Sequence, residues 1–267
     1  MELGLKGKVA VVTGSSKGIG RAIAEAFARE GVQVVINSRN AKELEAAAAE
    51  IRSATGATVL AVASDVMTAE GARRPVEEAV KKFGTVHILV NNAGGAGRFG
   101  SFDDLTDDEW MDTYNLNVLS AVRATRAALP AMRKQRWGRV INISSESGVQ
   151  PDAMMPHYNA SKSALNSLTK SLSKAVGRDN ILVNTVSPAF IRTPLLDGFL
   201  AQTAKDRGVS MQEAEQILLR EFRPNILLGR AGKPEETAGI CVFLASEQAT
   251  FITGSNYRVD GGSVASL

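Results

Sequence analysis

The segment Val9-Ala10-Val11-Val12-Thr13-Gly14-Ser15-Ser16-Lys17-Gly18-Ile19-Gly20 joins a short apolar run to three glycines spaced G-x3-G-x-G. A continuous apolar run of this length suits a strand covered on both faces. Glycines directly after it permit a tight turn and let the backbone approach a ligand closely. Helical spacing follows from Arg21, and a helix N-terminus presents free N–H groups and partial positive charge to a pyrophosphate. The spacing is not G-x-G-x-x-G and lacks the G-K-[ST] ending of a phosphate-binding P-loop. A glycine-rich turn that only packs helix on strand is the plainer reading. The position directly after the first strand favours a dinucleotide loop.

Working outward, the same rhythm repeats. Strand candidates fall at 8–12, 33–36, 58–63, 88–90, 139–143, 181–186 and 256–259, with helical stretches between them. Asn40 precedes a helix over 42–54, and Thr68 leads into one that ends before Gly84. Thr106 with Glu109 has capping-box spacing, and Pro234 followed by Glu235 and Glu236 reads as a helix first turn. Strands alternating with helices predict βαβ units, since parallel neighbours need a long crossover. The expected fold is α/β: one doubly wound parallel sheet with helices on both faces, in a single domain over 1–267. The stretch 189–228 has no strand and breaks the rhythm; a helical lid and two packed surface helices both fit it.

Composition narrows the function. The chain has 267 residues and a formal net charge of +3, without a concentrated basic stripe for nucleic acid or membrane. One cysteine, Cys241, excludes an internal disulfide framework, and two histidines beside it leave too few soft ligands for a zinc site. The opening residues do not read as a signal peptide, and no apolar run approaches the ~18 residues of a membrane span, so the expected address is the cytoplasm.

The end of the second strand bears on the cofactor. A carboxylate there would bind the ribose 2′-OH of NAD, and a basic residue favours the 2′-phosphate of NADP. The chain reads Asn37-Ser38-Arg39, and Lys17 adds a second cation from the glycine loop. Arginine binds phosphate bidentately and lysine as a point charge. NADP(H) is therefore favoured, with NAD(H) as the alternative.

Tyr158 and Lys162 stand at i and i+4 of a helix, on one face. An ammonium beside a phenol favours the phenolate and lowers its pKa, making tyrosine a proton donor or acceptor near neutrality. The pair is common by chance. It gains weight beside the glycine loop, Asn91-Asn92-Ala93-Gly94, Asn117, Ser144-Ser145, and Pro188 followed by Thr193.

In this set of motifs, the chain resembles the short-chain dehydrogenase/reductase family from Lys8 to Gly262. The resemblance implies a Rossmann-type fold and hydride transfer between a nicotinamide and a carbonyl or secondary alcohol. It implies that Tyr158 is the general acid or base, that Lys162 tunes it and holds the nicotinamide ribose, and that Ser145 bonds the substrate oxygen. Asn117 would position a water linking Lys162 to solvent. Cofactor contacts would come from Gly14, Ser16, Lys17, Gly18, Ile19, Gly20, Ser38 and Arg39. Asp65 and Val66 would meet the adenine, Asn91, Ala93 and Gly94 the adenosine side, and Pro188, Ile191 and Thr193 the nicotinamide. The resemblance also implies a homotetramer. Ala189 departs from the family, which usually has glycine there; if that glycine serves positive φ, alanine would shift the nicotinamide edge.

Other signals are weaker. Ser144 and Ser145 lack the G-x-S-x-G elbow of a serine hydrolase. His157, beside Tyr158, is expected at the surface. Arg133, Lys134, Arg136 and Arg139 could dock the acidic carrier protein of a 3-oxoacyl reductase, although Asp179 stands where another docking cation is expected. Sugar and steroid dehydrogenases share the motifs, and a nucleotide-sensing protein without turnover is a reading from a different class. Phe190, Leu195, Leu196, Phe199 and Leu200 in 189–228 suit a greasy substrate or simple helix packing.

Overall fold

The computed structural model describes residues 2–266. A single seven-stranded parallel sheet runs β3-β2-β1-β4-β5-β6-β7. Its strands are β1 (Val9–Val12), β2 (Gln33–Ser38), β3 (Val59–Ala63), β4 (Ile88–Asn91), β5 (Gly138–Ile143), β6 (Ile181–Pro188) and β7 (Asn256–Val259). Every one of the expected strands is present, within two residues at either end. The order reverses between β1 and β4, so their following loops diverge and open a crevice, the place where doubly wound sheets take ligands.

Alternate residues of each strand serve opposite faces. Ala10 and Val12 of β1 join a core with Ile23 and Phe27 of α1 (Gly18–Arg29), Leu44 and Ile51 of α2 (Ala41–Thr55), and Cys241. Val9 and Val11 face the other core, with Val76 of α3 (Ala69–Phe83) and Ala124, Ala128 and Met132 of α5 (Ser120–Lys134). All four residues of β1 are buried, which explains the unbroken apolar run.

The helix starts follow from their caps. The Asn40 side chain accepts from the N–H groups of Lys42 (3.1 Å) and Glu43 (3.2 Å). Thr68 caps α3, and Thr106 with Glu109 forms the capping box of α4 (Asp107–Tyr114). Pro234 opens α9 (Pro234–Ala245). One boundary differs: α1 begins at Gly18, not Arg21, because the last two glycines form its first turn rather than a loop before it. A π-turn, Asn115–Leu119, joins α4 to α5. Such turns are rare and often lie at functional sites.

The segment 189–228 folds as α7 (Pro194–Arg207) and α8 (Met211–Phe222). They pack on each other through Leu196, Leu200, Ala214 and Leu218, a small core apart from the sheet's two. Among the described residues, no helix is long and apolar enough to cross a membrane.

Candidate active site

The glycine loop is stitched to the loop after β4. Thr13 Oγ1 accepts from the backbone N–H groups of Asn92 and Ala93, both at 3.0 Å. The Asn92 amide returns bonds to the carbonyls of Thr13 and Gly14, both at 2.9 Å. Gly14 and Gly18 have φ of +62° and +59°, where side chains are strained, so glycine is required at both. Gly14 has a second reason: a β-carbon there would lie 2.8 Å from Ala93 Cα.

A second knot lies beneath. Ser15 donates its N–H to the Asn37 carbonyl (2.8 Å), and Ser15 Oγ accepts from the Asn37 N–H (3.0 Å). Asn37 Nδ2 reaches across to Val62 O at 3.0 Å and Ser64 Oγ at 2.9 Å. These bonds hold the ends of β1, β2 and β3 in register. Sequence reading missed Ser15, Asn37 and Asn92, because their partners lie on other strands.

No side chain caps the first turn of α1, although Lys17 occupies its N-cap position. The first N–H groups of a helix have no partner within it, so this turn is open to an anion. Lys17 and Arg39 are exposed beside it. Lys17 Nζ stands 4.0 Å from Glu43, whereas Arg39 has no carboxylate at ion-pair distance among the described residues. Ser38 is half-buried and donates to Asn40 O at 3.3 Å. Ser16 and Ile19 are half-buried too, and Gly20 is buried. Asp65 Oδ1 accepts from the Met67 N–H at 3.0 Å, beside buried Val66. An uncapped helix start, obligatory glycines and a free arginine fit a phosphorylated dinucleotide.

The Asn91 side chain turns inward, donating to Asn142 Oδ1 at 2.8 Å and Thr125 Oγ1 at 3.1 Å. Asn142 continues to Thr169 at 2.8 Å, which accepts from Thr185 at 2.7 Å. Asn91, Asn142 and Thr185 are register partners across β4, β5 and β6, so they form a polar ladder on one sheet face. This commits the Asn91 amide to the interior and leaves only its backbone for a cofactor.

The next layer gathers the catalytic candidates. Asn117, in the π-turn, is 2% exposed. Its Oδ1 accepts from the Gly95 N–H (3.0 Å), and its Nδ2 donates to Gly95 O (2.9 Å) and Ser161 Oγ (3.1 Å). Lys162 lies on α6 (Pro156–Val176) and donates from Nζ to Ile143 O at 2.8 Å. A β-carbon at Gly94 would come within 2.6 Å of Asn117 Oδ1 and 3.1 Å of Lys162 Nζ. The absent side chain is therefore what lets both groups meet there. Ser145 ends the β5 loop and accepts from the Ser147 N–H at 3.1 Å. The Ser145 side chain acts on the Tyr158 phenol, whose ring centre lies 5.5 Å from Lys162 Nζ.

Burial pushes the Tyr158 phenol up, and the Ser145 side chain opposes this without reversing it. Burial lowers the Lys162 pKa to about 8, and its ammonium donates to the Ile143 carbonyl. Desolvation disfavours both charged forms here.

Other candidates settle differently. His157 is 2% exposed and packs edge-on against Trp110 at 6.0 Å, so it is an interior residue. Arg139 is buried over the Trp137 ring, Arg133 and Arg136 both pair with Asp179, and Lys134 is exposed. Ala189 has no positive φ, so the family glycine is not needed for backbone freedom here. Its N–H bonds Val259 O at 3.3 Å, and Ile191 bridges to Gly232. Pro188 ends β6. Thr193 caps α7, its methyl 3.3 Å from where a Gly18 β-carbon would stand, so the substrate-side segment begins against the glycine loop.

A doubly wound sheet with this crevice defines an oxidoreductase of the dinucleotide-binding class. The family model of short chain dehydrogenases matches residues 8–204, and the chain belongs to that family. It is 37% identical to a 3-oxoacyl-[acyl-carrier-protein] reductase of Aquifex aeolicus, over 98% of this chain and 99% of that one. It is similar to the crystal structure of L-sorbose reductase from Gluconobacter frateurii complexed with NADPH and L-sorbose (TM-score 0.95, 41% identity, 100% of both chains). An NADPH-dependent reductase involved in bacilysin biosynthesis is similar too (TM-score 0.89, 31% identity, 98% of this chain and 100% of that one).

Proposed function

We propose that this protein is an NADPH-dependent reductase of a carbonyl compound, running in reverse as a secondary-alcohol dehydrogenase. The observation that carries the reading is the convergence of Ser145, Tyr158, Lys162 and Asn117 beside an uncapped helix start. NADPH-bound neighbours support the cofactor, as do Arg39 at the end of β2 and Lys17 at the start of α1.

When bound, NADPH supplies the hydride. Gly14, Gly18, Ile19 and Gly20 would let the backbone approach its pyrophosphate, and Arg39 and Lys17 would hold the 2′-phosphate. Asp65 and Val66 would hold the adenine end, Ala93 and Gly94 the middle, and Pro188, Ile191 and Thr193 the nicotinamide edge. Ser145 Oγ donates to the substrate carbonyl oxygen, where negative charge grows. The Tyr158 hydroxyl delivers its proton to the same oxygen. A phenol held protonated by burial suits this direction. The Lys162 ammonium faces the phenolate left behind, and Asn117 holds the Gly95 loop over it. Exposed Phe102, Met111 and Phe251 supply apolar surface for the homotetramer in this reading. The chain acts as one cofactor-binding and catalytic unit in the cytoplasm.

The test is NADPH consumption with a panel of ketones by wild type and Tyr158→Phe. A general acid contributes roughly 10²- to 10⁴-fold, so the variant should lose that much kcat while still binding NADPH. Equal rates in the two proteins would overturn the assignment of Tyr158.

A further inference from the structure

The chain makes one tight turn directly after β5, and Ser145 sits in it. Ser145 Oγ accepts from the Ser147 N–H at 3.1 Å, and its carbonyl accepts from the Gly148 N–H at 3.0 Å. The Glu146 carbonyl accepts from the N–H groups of Val149 and Gln150, both at 2.8 Å. On one side α6 holds this turn, where Ser163 Oγ donates to the Gly148 carbonyl at 2.9 Å. On the other side the anchor is an ion pair. The Glu146 side chain is 4% exposed and accepts at Oε1 from Arg223 Nε, at the end of α8. Arg223 Nη2 reaches Asp152, further along the same loop, at 3.3 Å.

The other ion pairs of α7 and α8 stay within their own segment: Arg192 with Asp197 and Glu215, and Arg207 with Glu221. Among the described residues, Arg223 alone ties these helices by ion pair to the loop after β5. It is also the one cation at ion-pair distance from Glu146, whose Oε2 has no hydrogen-bond partner among them. Removing one member of a buried ion pair is strongly destabilising, because the other charge is left uncompensated. Glu146 therefore stays inward only while α8 is docked.

We propose that Arg223 is a positioning residue that couples the docking of α8 to the order of the Ser145 turn. With α8 docked, Glu146 is paired and the turn holds the Ser145 hydroxyl in place. With α8 displaced, Glu146 moves toward water and the turn loosens with it. This rests on the reductase reading above, in which Ser145 bonds the substrate oxygen.

The test reads amide exchange at 147–150, whose N–H groups bond to Ser145 and Glu146, in protein without substrate. Beside it, kcat is measured with NADPH and the fastest ketone of the panel. Arg223→Met should speed exchange at 147–150 and at 211–222 together, about 10- to 100-fold, and lower kcat by a similar factor with NADPH affinity unchanged. Arg223→Lys should restore part of both. Glu146→Gln combined with Arg223→Met should recover protection at 147–150 and part of kcat, while α8 stays loose, because no bare carboxylate remains. If Arg223→Met does not bind NADPH, Arg223→Gln is read in its place. Faster exchange in α8 with 147–150 or kcat unchanged overturns the proposal. So does a double variant no better than Arg223→Met, since Arg223 then acts by its bulk alone. A wild type that reduces no ketone overturns the reductase reading, and the exchange pattern alone then decides the coupling.

Discussion

Beneath the site, the ends of β4, β5 and α6 are filled with buried polar side chains bonded to one another. On the substrate side, α7 and α8 hold each other through a few aliphatic contacts, and Leu195 and Phe199 face outward. The Asn91–Asn142–Thr169–Thr185 ladder has partners set by strand register, so each amide and hydroxyl has one geometry. Hydrophobic contacts in α7 and α8 are less directional and tolerate sliding. A rigid floor underlies Tyr158, and a softer wall stands over it in the pair α7 and α8, the side proposed for the substrate.

The largest test of this contrast is stability. Phe27→Ala in the sheet core should cost about 3–5 kcal/mol of global unfolding free energy. Leu200→Ala, equally buried in the small core, should cost less globally and instead speed amide exchange across 194–222. Equal global losses would make the two regions one cooperative unit.

Next comes Ser145→Ala, which alters the floor without moving it. Losing a donor at the developing oxyanion costs about 2.7–4 kcal/mol, read as a fall in kcat with the melting temperature little changed. Arg39→Asp should weaken NADPH by about 1.5–3 kcal/mol, measured by titration, and NADH far less. A wild type that binds NADH more tightly would remove the role given to Arg39.

The smallest effect is pH dependence. Lys162 has a folded pKa of about 8, below its ordinary value, because of burial. The folded state therefore resists its protonation, and the penalty is fully present below that pKa. Stability should rise as pH climbs from about 8 toward ~10, where the unfolded chain alone still binds the proton. Denaturation midpoints for Lys162→Met should lack this rise.

The strands were legible because burial on two faces leaves an apolar run, and the helix starts because a cap is a local bond. Asn40, Thr68 and Thr106 each satisfy N–H groups two or three residues away. Tyr158 and Lys162 were legible from helical spacing, and the glycine loop from its place after β1. His157 was misread because its burial depends on Trp110, 47 positions earlier in the chain. The Asn91 amide's partners stand 34 and 51 residues away, so its inward turn was not legible.

The sequence by itself determined the parallel sheet, the dinucleotide loop, the family and the residues gathered at its crevice. The sheet and the loop rest on period, on capping and on glycine stereochemistry, and the family and its residues on the motifs that resemble it. Only the tertiary structure decided how those residues are charged and what they touch. Burial raises the Tyr158 phenol and lowers Lys162. Desolvation depends on everything packed around a group, and no short stretch of chain contains that information.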